Sequence, residues 1–293
     1  IYNQLVEAEN YSNSFSNSLL DLERIGAAPA YTFLLYLLSL PISSFSETNV
    51  IDQTIELLCK YYFRRNVTDY PNTRDLDAIN IDLVEKCNEE LESGHKLSYH
   101  FIANEILNGR GQPISLNEFT RVLSDNLFYH NDYMARYALT KLDENFHTRE
   151  YSPNLWERNE KGLYVWTIEH IFPQGENIPQ DWITMIGNGD GSKARSIQNE
   201  WVHSLGNLTL SGYNSKLSNS SFVKKQQKTV ANVFGSAIEI GYKNGLGLNN
   251  IPFTIDGKQM SLATADIWNL DYIKARNSVL VDMLAKLFKF DSE

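Results

Sequence analysis

Cysteine is scarce in this chain: Cys59 and Cys87 are the only two, and each stands alone on a helix-like stretch. Zinc ribbons need cysteines in closely spaced pairs, so that class of metal site is excluded, and the two read as buried thiols of a cytoplasmic protein. Long apolar runs are also missing. The longest, Ala30 to Pro41, reads "AYTFLLYLLSLP" and falls short of the roughly 20 residues a membrane span requires, which makes it a buried helix. There is no internal repeat and no low-complexity tract. The opening Ile1 follows no methionine and no basic-then-apolar leader, so the expectation is a processed chain or a piece of a longer one. Basic charge is lacking overall: the formal net charge is -10, which argues against a whole surface built for nucleic acid.

What is present is ordinary for a soluble globular protein. With 293 residues, 42% hydrophobic and 21% charged, a sizeable core and one large or two ordinary domains are expected. Apolar residues recur at three- and four-residue steps in Val50 to Phe63, Leu76 to Leu91 and Tyr99 to Leu107, and Ser115 with Glu118 forms a capping-box pattern before another helix. A further helical stretch covers Asp132 to Leu142. Residues 1–150 are therefore expected to form an all-α bundle, with a boundary in the aperiodic segment His147 to Gly162, and residues 151–293 a second domain.

The pattern changes in the second domain. A run of Val165, Trp166, Thr167 and Ile168 reads as a strand that ends in Glu169 and His170, with Pro173 to stop it. A polar, glycine-rich excursion, "GNGDGSK", comes next, and then "LGNLTLSGYN", Leu205 to Asn214, a second strand. Asn219 to Phe234 reads as one helix, and Ala265 to Phe290 as a long amphipathic one. The order is strand, strand, helix, with polar residues at its joints. Charge is uneven here too: from Lys161 to Val230 there are seven Lys/Arg against five Asp/Glu, and Asn207 to Val230 holds four lysines and no acid. Taken alone, such a stretch is usually only a solvated face.

Phosphodiester hydrolysis needs a base to deprotonate water and a cation to take up charge on the phosphoryl and leaving oxygens. A neutral histidine can supply the first, and a carboxylate with an amide carbonyl can hold magnesium. Glu169, His170, Asn207 and Asn214 contain these groups. Neighbouring side chains in a regular strand point to opposite faces, so Glu169 and His170 can share a site only where the strand ends. His95, His100, His130, His147 and His203 fall outside the pattern and read as structural; His203 is the one nearest Asn207. The pair Arg64 and Arg65 could bind phosphate or buttress a helix junction through carboxylates.

"IEHIFPQ" followed by "LGNLTLSGYNSKLSNSSFVKK" resembles the HNH nuclease domain at the C-terminus of GmrSD-type, modification-dependent restriction endonucleases. The "YYFRR" helices before it and the Trp268, Ile273, Arg276 tail after it are similar to that family's flanking regions. The resemblance implies a mainly α chain: an N-terminal helical bundle, then a ββα-metal (HNH, His-Me finger) nuclease domain with C-terminal helices. It implies His170 as general base, Glu169 and Asn214 as ligands of Mg2+ or Mn2+, and Asn207 as the amide that holds the loop between the strands. Lys225, or equally Lys224, is the implied phosphate contact. DNA is the implied substrate in restriction of foreign or modified DNA, and the implied partner is a ParB-like nucleotide-dependent N-terminal domain missing from this chain; oligomerisation is left open. The 175–204 gap is long for a compact HNH unit and reads as an insertion. The alternative of another class is a non-catalytic nucleic-acid-binding or assembly module on the same scaffold, and RNA cleavage is a variant of the first.

Overall fold

The structure, a computed structural model, describes residues 16–293, so the chain start at Ile1 lies outside the described residues. The chain is mainly α-helical and falls into two compact units, one comprising residues up to Val122 together with Leu287–Glu293, the other Leu123–Lys286. No helix among the described residues is long and apolar enough to cross a membrane.

The first unit is built from α1 (Ser16–Ile25), α2 (Tyr31–Ser39), α3 (Val50–Thr68), α4 (Leu76–Glu92), α5 (Tyr99–Asn108) and most of α6 (Leu116–Leu123). The apolar run becomes α2, whose Phe33, Leu34 and Leu37 are buried; the helix stops where Leu40, ahead of Pro41, turns extended. Helix α3 is central and buries Ile55, Leu58, Tyr62 and Phe63. Its arginines are spent inside the unit. Arg64 donates to both carboxylate oxygens of Glu293, at 2.6 and 3.0 Å, and to Ile114 O; Arg65 donates to Pro71 O, Asp69 and Thr73. They buttress junctions, the second of the two readings of that pair. Ser115 accepts from Glu118 N at 3.3 Å, while the Glu118 carboxylate pairs with Arg121 instead of closing the capping box.

The second unit holds α7 (Leu127–His130), α8 (Asp132–Glu144), β1 (Thr167–His170), α9 (Gln180–Gly187), α10 (Gly191–Trp201), β2 (Leu208–Ser211), α11 (Asn214–Leu217), α12 (Phe222–Gln226), β3 (Thr229–Ala231), β4 (Ala237–Glu239), α13 (Gly247–Asn250), β5 (Phe253–Ile255), β6 (Lys258–Met260) and α14 (Leu270–Leu287). The division at 122/123 falls ahead of the composition change near residue 150, because α8 is bonded to segments later in the chain. Arg136 donates to Trp166 O at 2.6 Å and Leu155 O at 2.5 Å and lies over the Tyr164 ring, and Asp143 accepts from Leu248 N. The core is aromatic: Phe172, Trp182, Phe222, Tyr242, Phe253 and Trp268 are buried together.

Within the 175–204 insertion α9 and α10 form a helical pair, joined through the left-handed Asn188 and Gly189, with Asp190 capping α10 by accepting from Ser192 N and Lys193 N. Two expectations are corrected. The segment Asn219 to Phe234 is not one helix. It is helical only from Phe222 to Gln226, and the β-branched Thr229 and Val230 then start a hairpin, β3 pairing with β4 as Val230↔Ile238. The last helix starts at Leu270, five residues after the expected Ala265. A further hairpin, β5–β6, turns at Asp256–Gly257, with φ of 48 and 74. Asp-Gly favours such a turn, since both positions are left-handed.

Candidate active site

β1 and β2 are antiparallel, with Glu169 opposite Thr209 and His170 opposite Leu208. The strand ends at His170, and the next backbone N–H, of Ile171, donates to Asn207 O. Side chains alternate along it, so the carboxylate and the imidazole leave on different faces. Glu169 meets Lys225, and His170 meets Phe128 and His203. At the strand end both still border one small pocket, of about 120 Å³, together with Pro173, Gln174, Asn214 and Lys225.

Asn207 fixes the turn that brings these groups together. Its Oδ1 accepts from Phe172 N at 2.8 Å, and its Nδ2 donates to Phe172 O and Val202 O, both at 3.0 Å. The residue is fully buried. From the other side α14 and the segment just ahead of it press against the same turn: Arg276 Nη1 donates to Gly206 O and Leu208 O, Asn277 Oδ1 accepts from Gly206 N, and Trp268 Nε1, before the helix, donates to Asn207 Oδ1 at 3.3 Å. Residue 206 has to be glycine here, because a Cβ would sit 2.2 Å from Ile273 O. Burial pulls the Arg276 guanidinium down to about 9.

Lys225 uses its ammonium inside the protein. Nζ lies 2.6 Å from Glu169 Oε1, 2.8 Å from His170 O and 3.2 Å from Ile171 O, three acceptors for three N–H donors. Burial raises the Glu169 carboxyl and lowers the Lys225 ammonium, each held partly back by the other's charge. The buried Tyr242 hydroxyl stands beside the same carboxylate without closing a hydrogen bond of good geometry, and its own pKa is raised by burial first and by Glu169 second. Lys224 is exposed. Asn214, at the start of α11, donates from Nδ2 to Ile168 O at 2.7 Å, which turns its amide oxygen to the opposite side.

His170 is neutral across the physiological range: burial, then the neighbouring His203 and Lys225, bring its pKa down to about 3. Its Nε2 is 3.1 Å from His203 Nδ1, and both rings pack on Phe128, one edge-on at 4.8 Å, the other stacked at 5.3 Å. When His170 donates across this contact, its Nδ1 is the basic nitrogen. Sequence reasoning left His203 among the structural histidines. The one signal was its nearness to Asn207, since the pairing with residue 170 forms only once α10 brings the chain back.

The described residues hold no group of three or more His, Cys, Asp or Glu able to bind a metal. The family model for the C-terminal domain of GmrSD restriction endonucleases matches residues 114–283, more than half of the chain. The chain belongs to this family. The matched stretch of this GmrSD C-terminal domain covers nearly all of the second unit and contains every residue of the site just described, and it gives the chain a restriction-endonuclease role. No curated protein and no solved structure matches the GmrSD chain.

Proposed function

We propose that this GmrSD domain is a metal-dependent HNH endonuclease whose ββα-metal unit is formed by β1, β2 and the short helices after them. The observation that carries the reading is the pocket at the end of β1, where a neutral imidazole, a carboxylate, an amide and an ammonium line about 120 Å³ of space. His170 is the general base. Donating Nε2–H to His203 fixes the ring and leaves Nδ1 to accept the proton of the attacking water. The negative charge of an entering phosphate raises the proton affinity of a base that burial has held low.

The donor set fits magnesium or manganese: Glu169 and the free oxygen of Asn214 are hard ligands, and magnesium keeps several waters beside one or two carboxylates. A bound divalent ion would stabilise charge on the phosphoryl and leaving oxygens. Asn207 acts through the backbone, holding residues 171–173 against the turn. Lys225 holds the Glu169 carboxylate in place with its three donors spent inside the protein, and the exposed Lys224 supplies the phosphate contact. The substrate is DNA, foreign or modified. Its recognition and any nucleotide dependence lie with a ParB-like N-terminal partner domain.

The test is a plasmid nicking assay in magnesium or manganese, comparing the wild-type chain with His170→Ala. Cleavage is expected to vanish in the variant with the circular dichroism spectrum unchanged; undiminished cleavage would refute the base assignment. A wild-type chain that binds DNA but leaves every plasmid intact would favour the non-catalytic reading.

A further inference from the structure

The β3–β4 hairpin stands free of the body. Every residue from Val233 to Glu239 is exposed, and the two at its tip are large and apolar: Val233 is 92% exposed and Phe234 89%. A two-stranded ribbon is marginal by itself, so an apolar tip on an unsupported arm is a cost in solution. The turn is nevertheless well built. Asn232 Oδ1 accepts from Phe234 N at 2.9 Å and Ser236 N at 3.0 Å, Asn232 N donates to Ser236 O, and Gly235 takes φ 78. Val233 and Phe234 are thus held outward by a formed turn.

The root of the arm is the candidate active site. Lys225, bonded to Glu169, lies just before β3, and Tyr242, beside the same carboxylate, lies just after β4. Ile240 N and Gly241 N both donate to Lys228 O, and Gly241 passes so close to α12 that a Cβ would meet Lys225 O at 2.0 Å. Charge along the arm and its approach is mostly basic, with Glu239 at the end of β4 the one exposed acid. From Asn207 to Ile238 there is no acidic residue, while Lys216, Lys224 and Lys228 are exposed.

We propose that the hairpin is a wedge: its lysine-flanked root follows the phosphate backbone of duplex DNA, and Phe234, backed by Val233, inserts between base pairs near the bond to be cut. Apolar wedges at the tips of basic elements unstack a base step and kink the duplex. The five steps from Lys228 to Val233 reach about 16 Å at roughly 3.3 Å each. The proposal rests on the reading that the substrate is DNA, and not on hydrolysis.

The test needs no cleavage. The full chain is titrated, with EDTA present, against duplexes carrying 2-aminopurine at successive positions. Binding is followed by anisotropy and unstacking by the fluorescence rise. Wild type is expected to unstack one step, and Val233→Ser with Phe234→Ser to weaken binding about tenfold and abolish the rise at an unchanged melting temperature. Phe234→Trp is expected to retain both. Unstacking by wild type sustains the wedge even if the His170→Ala comparison fails. Binding without unstacking by wild type, equal signals in the double variant, or a double variant that alters only self-association in sedimentation would each overturn it.

Discussion

Asn207→Ala tests the central turn most sharply. The substitution removes partners from three buried backbone groups: Phe172 N–H, Phe172 C=O and Val202 C=O. A buried polar group left unsatisfied costs about 1–3 kcal/mol. Because the loop relaxes in part, the three together are expected to cost about 4 kcal/mol rather than the full sum. For a unit of this size each kcal/mol lowers the melting temperature by about 2–4 °C, so a drop of about 10 °C is expected in a circular dichroism melt. Activity should fall further than stability at a temperature where the variant is still folded. The loop Ile171 to Pro173 borders the pocket, and a displacement of about 1 Å in reacting groups can cost about a hundredfold in rate. A melting temperature within about 3 °C of wild type would refute the claim that this amide carries the turn.

His170 gives a pH prediction. Its pKa is about 3 in the fold and about 6.5 in an unfolded chain, so the unfolded state binds the extra proton in between. The contribution to stability is complete above pH 6.5 and is lost as pH falls toward 3, by about 1.4 kcal/mol per unit. His170→Gln should flatten the stability profile by that slope, and parallel profiles in urea unfolding would overturn it. Lys225→Met leaves the Glu169 carboxylate buried without its cation and should cost about 3–5 kcal/mol, most of it recovered in the double variant with Glu169→Gln; a double variant no better than the single would show that the pair is not the cause. Gly206→Ala forces a Cβ onto Ile273 O and should cost about 3 kcal/mol or more in denaturant unfolding. An unaffected midpoint would mean α14 does not press on the turn.

Long-period features of the fold were readable in the sequence. α3, α4 and α5 follow their apolar spacing closely, because each buries one face in its own unit. The end of β1 and the start of β2 are readable too, since a polar pair before Pro173 and the "GN" before alternating leucines are local signals, while β2 stops at Ser211, short of the expected Asn214. The β3–β4 hairpin was missed because "KKQQKTV" suits a helix by composition. What ends the helix is the turn built on the Asn232 side chain, together with the ribbon of β-branched residues leading to it. The Asp256–Gly257 hairpin carries its turn signal in the Asp-Gly pair itself. The links between His170 and His203, and between Lys225 and Glu169, were not legible, because they join residues 33 and 56 positions apart through the packing of other helices.

The hold of α14 on the Asn207 turn also sets an order in time. Arg276 reaches back 68 residues to Leu208 O and 70 to Gly206 O, and Asn277 reaches back 71 to Gly206 N. During synthesis the ribosome adds about 5–20 residues per second, so the segment carrying His170 and Asn207 is out for several seconds before its brace exists. A chain interrupted after Lys225 and before Leu270 contains Glu169, His170, Asn207, Asn214 and Lys225 but lacks the Arg276 and Asn277 bonds that brace the turn from the other side.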